Sequence, residues 1–136
     1  MTDQPMALTD FVRAAKAEIT EIDGARLEAM RSESPNLMLL DVREADEYEK
    51  GHLEGAMLVP RGILEAACDF KYPKRVQRLA DARERPVVLY CATGGRSAMA
   101  AATLKAMGFK EVYSLAGGIG QWEAEKRPVA QGARNV

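Results

Sequence analysis

The chain has 136 residues, 47% hydrophobic and 29% charged, with a net charge of −1, which fits one compact domain with its own core and gives no ground for a second. Lys and Arg are scattered rather than clustered, so the electrostatic footprint of a nucleic-acid or anionic-membrane binder is absent. No run approaches the about 20 apolar residues that cross a bilayer, and the acidic-polar start Met1-Thr2-Asp3-Gln4-Pro5 lacks the pattern of a secretory leader, so the cytoplasm is the expected location.

Leu8, Phe11, Val12, Ala15 and Ile19 follow helical spacing and form one apolar stripe. Residues 1–17 are therefore expected to be a helical extension that docks on the domain or on a partner. Residues 18–128 are expected to form the domain, and 129–136 a loose tail. Glu18 to Ile22 alternates and suits an edge strand. Asp23 is placed to cap a helix over Ala25 to Arg31, which Ser34-Pro35-Asn36 breaks. Leu37 to Leu40 is a continuous apolar run, as in a strand buried on both faces. Val42 to Lys50 is charged and helix-prone, with Gly51 placed to end it. Ala56 to Val59 is a third strand, stopped by Pro60.

Arg61 to Ala80 is helical in parts, interrupted at Tyr72-Pro73, and Asp81 to Arg85 is a charged linker. Val87 to Tyr90, after Pro86, has the pattern of a central strand. Beyond the Cys91 loop a helix runs from Ser97 to Met107, and the small residues on one face, Ala100, Ala101 and Gly108, permit close packing on a sheet. Val112 to Leu115 is the last strand. Gly117-Gly118 turns the chain into a closing helix, Ile119 to Lys126, that carries Trp122. Strands alternating with helices predict an α/β fold in three layers, a mainly parallel five-stranded sheet with helices on both faces. Ligands of such folds bind beyond the carboxyl ends of the strands, where Cys91 stands.

The chain has two cysteines and one histidine, and neither cysteine belongs to a Cys-x-x-Cys pair. A structural zinc site and a structural disulfide are both improbable in a reducing compartment, and no motif calls for a cofactor. Cys91 at a strand end has one bland role, that of a small buried hydrophobe. Its surroundings argue for chemistry instead. Passing from a buried strand to a helix through Cys91-Ala92-Thr93-Gly94-Gly95-Arg96-Ser97 curls the backbone, and Gly94 and Gly95 can take conformations closed to other residues. Successive N–H groups then form a concave anion site, and the helix N-terminus adds about half a positive charge. A cysteine there is expected to have a lowered pKa. Arg96 supplies a permanent charge and a fork of donors for an oxyanion. A nucleophile, a ring of amides and an anion clamp together suit attack on an anionic electrophile.

With these residues in view, the sequence resembles the single-domain rhodanese-like family. The resemblance runs from about Glu18 to Pro128. It rests on Leu40-Asp41-Val42-Arg43-Glu44 with Glu47-Tyr48, Gly51-His52-Leu53, Gly55-Ala56 and Pro60, then on the Cys91 to Ser97 loop, then on Leu115-Ala116-Gly117-Gly118 with Trp122. It implies a sulfurtransferase in which Cys91 takes sulfane sulfur from thiosulfate or a persulfide and passes it to a thiol or cyanide. The partners implied are a small sulfur donor and a thiol acceptor, or a protein in either role. The loop amides from Ala92 to Arg96, with Ser97, would hold the outer sulfur, and Arg96 the anionic end of the donor. Asp41 and Arg43 would brace the loop by charge-assisted hydrogen bonds. In this setting His52 is structural rather than a general base, Trp122 is core packing, and Cys68 is incidental or else a resolving thiol.

One position departs from the pattern. Some members, notably two-domain ones, carry a further Arg where this chain has Glu47, which weakens the case for thiosulfate as donor; Arg61 is the substitute candidate. Two rivals share the fold. A dual-specificity cell-cycle phosphatase or an arsenate reductase would place Cys and Arg on a loop one residue longer, suited to a tetrahedral oxyanion. A noncatalytic binding or regulatory module of the family would often lack the cysteine that this chain keeps.

Overall fold

The continuous apolar runs are suited to strands buried on both faces, and the computed structural model, which describes residues 4–132, places them so. The strands are β1 (Thr20–Ile22), β2 (Met38–Asp41), β3 (Met57–Leu58), β4 (Pro86–Tyr90) and β5 (Glu111–Leu115). They pair in the order β1-β5-β4-β2-β3, and every ladder is parallel. All residues of β2 and of β4 are buried, which is why neither shows polar alternation. α1 (Leu8–Glu18) precedes β1 and α7 (Gly118–Ala124) follows β5, while the chain crosses over between strands through α2 (Gly24–Glu33), α3 (Ala45–Lys50), α4 (Leu64–Cys68), α5 (Gln77–Ala80) and α6 (Gly95–Ala106).

Successive strand residues point to opposite faces and so divide the core in two. Leu40, Val87, Leu89 and Cys91 pack with Leu64, Cys68, Leu79, Ala100, Ala101 and Leu104 from α4, α5 and α6. Leu39, Val88 and Tyr90 pack with Leu27, Met30, Tyr48, Ile119 and Trp122 from α2, α3 and α7. The result is the expected three-layer α/β arrangement, with β4 in the middle of the sheet. Asp23 caps α2 by accepting from Arg26 N at 2.8 Å. α3 starts three residues later than the charge pattern suggests, because Val42 still follows the sheet, its N–H donating to the Tyr90 carbonyl at 3.1 Å.

The N-terminal helix packs along α6. Ala15 is buried there, and Lys105 Nζ donates to the Glu18 carbonyl at 2.7 Å. Its apolar stripe is split, since Leu8 and Phe11 remain exposed. The segment from 129 to 132, expected to be loose, is instead a strap. Ala130 exchanges both backbone hydrogen bonds with His52, at 2.9 and 2.7 Å, and Gly132 N donates to the Glu49 carbonyl at 3.1 Å. These main-chain pairs tie the segment down without any hydrophobic pattern. Residues 133–136 of the expected tail, and Met1 to Asp3 of the extension, lie outside the described residues. Among the described residues no helix is long and apolar enough to cross a membrane.

Candidate active site: the Cys91 loop

β4 delivers Cys91 to the carboxyl edge of the sheet, and the residue is only 1% exposed. The chain must then reverse into α6 within a few residues. Gly94 makes this possible at a φ of 107°, a conformation that side chains rarely adopt. Gly95 was expected to share that freedom, but it is the first residue of α6 and needs no positive φ. Gly94 N donates to Cys91 Sγ at 3.1 Å and Ser97 N at 3.4 Å. The sulfur lies 3.5 Å from Ser97 Oγ, a donor to it when protonated and an acceptor from the hydroxyl when ionised. Burial pushes the thiol pKa up, but the Ser97 hydroxyl and the amides of Ser97, Gly94 and Thr93 outweigh it, so the net shift is downward. The thiolate is therefore better stabilised here than at an ordinary cysteine.

Two further features hold the loop, and sequence reasoning assigned a role to neither. The first is Ser114 on β5, fully buried, whose Oγ is 2.8 Å from Ser97 Oγ. When Ser114 donates to Ser97, the Ser97 proton is left for the sulfur or for the Gly94 carbonyl at 3.3 Å. Its only signal in the sequence was a hydroxyl within the apolar strand Val112-Tyr113-Ser114-Leu115. The second is the start of α7. Ile119 N donates to the Cys91 carbonyl at 2.9 Å and Gly120 N to the Ala92 carbonyl at 3.0 Å. These bonds hold the carbonyls of residues 91 and 92 against α7.

Arg96 follows on the first turn of α6 and is half-buried. Its Nη1 and Nη2 donate to Glu47 Oε1 and Oε2 at 2.9 and 3.0 Å, a bidentate pair between α6 and α3. The Arg96 hydrogen bonds, helped by the amide of Glu44 and opposed by burial, hold the Glu47 carboxyl near a pKa of about 2. The clamp expected for a donor's anionic end thus already holds an internal carboxylate.

A family model for the rhodanese-like domain matches residues 24–125. This chain belongs to the rhodanese-like family. The rhodanese fold is also found in solved structures. The polysulfide-sulfur transferase homodimer of Wolinella succinogenes is 30% identical, with a TM-score of 0.73 over 90% of this chain and 86% of that one. A Rhodopseudomonas palustris protein of unknown function, described as a possible tyrosine phosphatase, is 28% identical with a TM-score of 0.85 over 96% of this chain and all of that one. A putative sulfur carrier protein of Bacillus subtilis is 39% identical over 87 residues, 64% of this chain and 42% of that protein. In other curated relatives the matched region is 27–29% of the whole length. The rhodanese domain is thus related to sulfurtransferases and sulfur carriers.

The remaining motif residues of the rhodanese domain take structural places. Asp41, fully buried, accepts from Arg43 N, Nε and Nη2, the last at 2.7 Å. Arg43 Nη2 also donates to the Gly51 carbonyl at 2.7 Å. The hydrogen bonds of the pair therefore fasten the chain around α3 and Gly51 rather than the 91–96 loop. The pair lies beside β4, with the Arg43 guanidinium 5.6 Å from the Tyr90 ring centre. The His52 ring stacks on Tyr48 at 3.7 Å, and its Nδ1 is 2.8 Å from the Tyr48 carbonyl. Trp122 is buried and its Nε1 donates to the Pro128 carbonyl at 2.8 Å. Arg61, the substitute anion binder, instead engages Glu65 at 3.0 Å and Thr103 at 3.2 Å. Cys68 is fully buried, lies 3.5 Å from the Met107 sulfur, and has its thiol pKa pushed up by burial. Among the described residues no group of His, Cys, Asp or Glu is arranged to hold a metal ion.

Proposed function

We propose that this domain transfers sulfane sulfur through a persulfide on Cys91. The observation that carries the reading is the seating of Sγ under the N–H groups of Gly94 and Ser97 at the start of α6, which stabilises the thiolate and lowers the thiol pKa. The thiolate attacks the outer sulfur of a donor, the donor's S–S bond breaks, and its electron pair leaves with sulfite from thiosulfate or with a thiolate from a persulfide. The loop Ala92 to Ser97 holds the new outer sulfur by its amides. An acceptor thiolate then attacks that sulfur and becomes the persulfide, and the Cys91 thiolate is restored. Donor and acceptor are small molecules or other proteins.

The test is mass spectrometry of the protein after donor treatment. One sulfur is expected on Cys91 and none on a Cys91→Ser variant. An unmodified Cys91 that still alkylates, after thiosulfate and several persulfides, would sink the transfer reading in favour of a binding module.

The Rhodopseudomonas relative, described as a possible phosphatase, gives a second reading a specific basis. Against it stand the short spacing from Cys91 to Arg96 and the carboxylate already on Arg96, both unfavourable to a phosphate dianion. Hydrolysis of an aryl phosphate that is lost in Cys91→Ser would favour it.

A further inference from the structure

Arg96, the loop residue whose charge acts on Cys91, is held in an ion pair that the chemistry of sulfur transfer does not need. Glu47 stands on α3 and Arg96 on α6, 49 residues apart in sequence, and their side chains are about equally exposed at 32% and 36%. The carboxylate is fixed from both sides. Arg96 grips both of its oxygens, and the Glu44 amide donates to Oε1 at 3.1 Å as the N-terminal cap of α3. Glu47 remains ionised at any physiological pH. Its neighbours along the adjoining depression are Arg43, Lys50, Gly51 and Glu123. Arg43 is committed to Asp41, and of the other two charges Glu123 is negative and Lys50 positive, so they offset each other and leave Glu47 as the carboxylate held on Arg96.

We propose that Glu47 is a specificity residue that disfavours oxyanion donors such as thiosulfate and leaves the site to persulfides. This rests on the sulfur-transfer reading above. Thiosulfate presents a sulfonate end that needs a cation. To use Arg96 it must displace Glu47, which then faces the donor as a like charge. A persulfide carries its reacting sulfur to Cys91 and has no oxyanion to seat. Cys91 thiolate attacks the terminal sulfur, the donor's S–S bond breaks, and the donor thiolate departs with the electron pair. Arg96 is not required as an anion seat in that step.

The experiment compares wild type with Glu47→Gln, which keeps the acceptor that caps α3 and removes the charge, and with Glu47→Asp, which keeps the charge. Single-turnover loading of Cys91 is followed by mass spectrometry with thiosulfate and with the persulfide of 2-mercaptoethanol, which has no oxyanion. Circular dichroism checks that each variant is folded. In Glu47→Gln the ratio of thiosulfate to persulfide loading is expected to rise about tenfold, mainly through a lower KM for thiosulfate, equivalent to about 1.4 kcal/mol. Glu47→Asp is expected to stay within threefold of wild type in that ratio. Wild-type loading by both donors with an unchanged ratio in Glu47→Gln would overturn the specificity role and leave sulfur transfer standing. No loading by either donor in any of the three proteins would overturn the transfer reading and this inference with it.

Discussion

Gly118 offers the sharpest test of how the loop is shaped. Its φ is 59°, in the left-handed region, and a Cβ placed there would lie 2.6 Å from both the carbonyl carbon and oxygen of Ala92, and nearer still to the Cys91 carbonyl. These are backbone atoms, so no rotamer change relieves the clash. An alanine in the left-handed region costs about 1–2 kcal/mol, and overpacking adds about 1–3 kcal/mol. Gly118→Ala is therefore expected to lose about 2–5 kcal/mol, a large share of a typical stability of about 5–15 kcal/mol. For a domain of this size that lowers Tm by about 10 °C or more. The assay is thermal unfolding together with the Cys91 loading rate well below Tm. Loading is expected to slow, because Ile119 and Gly120 no longer hold the carbonyls of Cys91 and Ala92 in place. Gly51→Ala is the control: its φ of 169° is extended and nothing lies within 4 Å of the added carbon, so its cost stays within about 0.5 kcal/mol. A Gly118→Ala protein with wild-type Tm and loading would refute the claim that the start of α7 shapes the loop.

Ser97→Ala removes the hydroxyl that most lowers the Cys91 pKa, so the thiolate absorbance is expected to titrate at higher pH than in wild type, by comparison with Cys91→Ser. An unmoved midpoint would assign the shift to the amides alone. Asp41→Ala leaves the Arg43 guanidinium buried and unpaired, at an expected cost of about 3–5 kcal/mol in urea unfolding. Glu47 has a pKa lowered from 4.5 to about 2, so its pairing stabilises the fold above about pH 4.5 and is lost as pH falls towards 2. With about a third of each side chain in water, Glu47→Gln should cost at most about 1 kcal/mol at neutral pH. Its gap from wild type, measured by urea unfolding at stepped pH, should close in that acid window. Cys68→Ala is expected to load Cys91 at a wild-type rate; a Cys68–Cys91 disulfide after mild oxidation would contradict this.

Much of the architecture was legible because local rules and tertiary burial agree. Val87 to Tyr90 is apolar throughout since β4 is covered on both faces, and Asp23 announces α2 because an N-cap is a local device. The start of α1 was not legible: Ala7 has no capping side chain, and Asp10 reaches back to accept from Ala7 N at 2.7 Å instead. The loop itself could be located from Cys91, Gly94 and Arg96, since a short strand-to-helix turn needs such residues in consecutive positions. Its partners could not. Glu47 meets Arg96 only because the α3 and α6 crossovers bring them together, and the strap at Ala130 is a backbone pairing that no side-chain pattern records. The reach of Arg43 to the Gly51 carbonyl was not legible either, because adjacency of strands does not say which carbonyl a guanidinium will find.

The central position of β4 also orders events during synthesis. Its two neighbours are β2, made early, and β5, made late, while the amides on the Cys91 and Ala92 carbonyls come from residues 119 and 120. A nascent chain that has just produced Cys91 lacks Ser97, Ser114 and the start of α7, so its cysteine is an ordinary thiol. Activation of the sulfur must wait for nearly the whole domain, and the non-local parallel pairing makes that a slow, late step of folding. A truncated or stalled product therefore carries the cysteine without the hydroxyl and amides that lower its pKa.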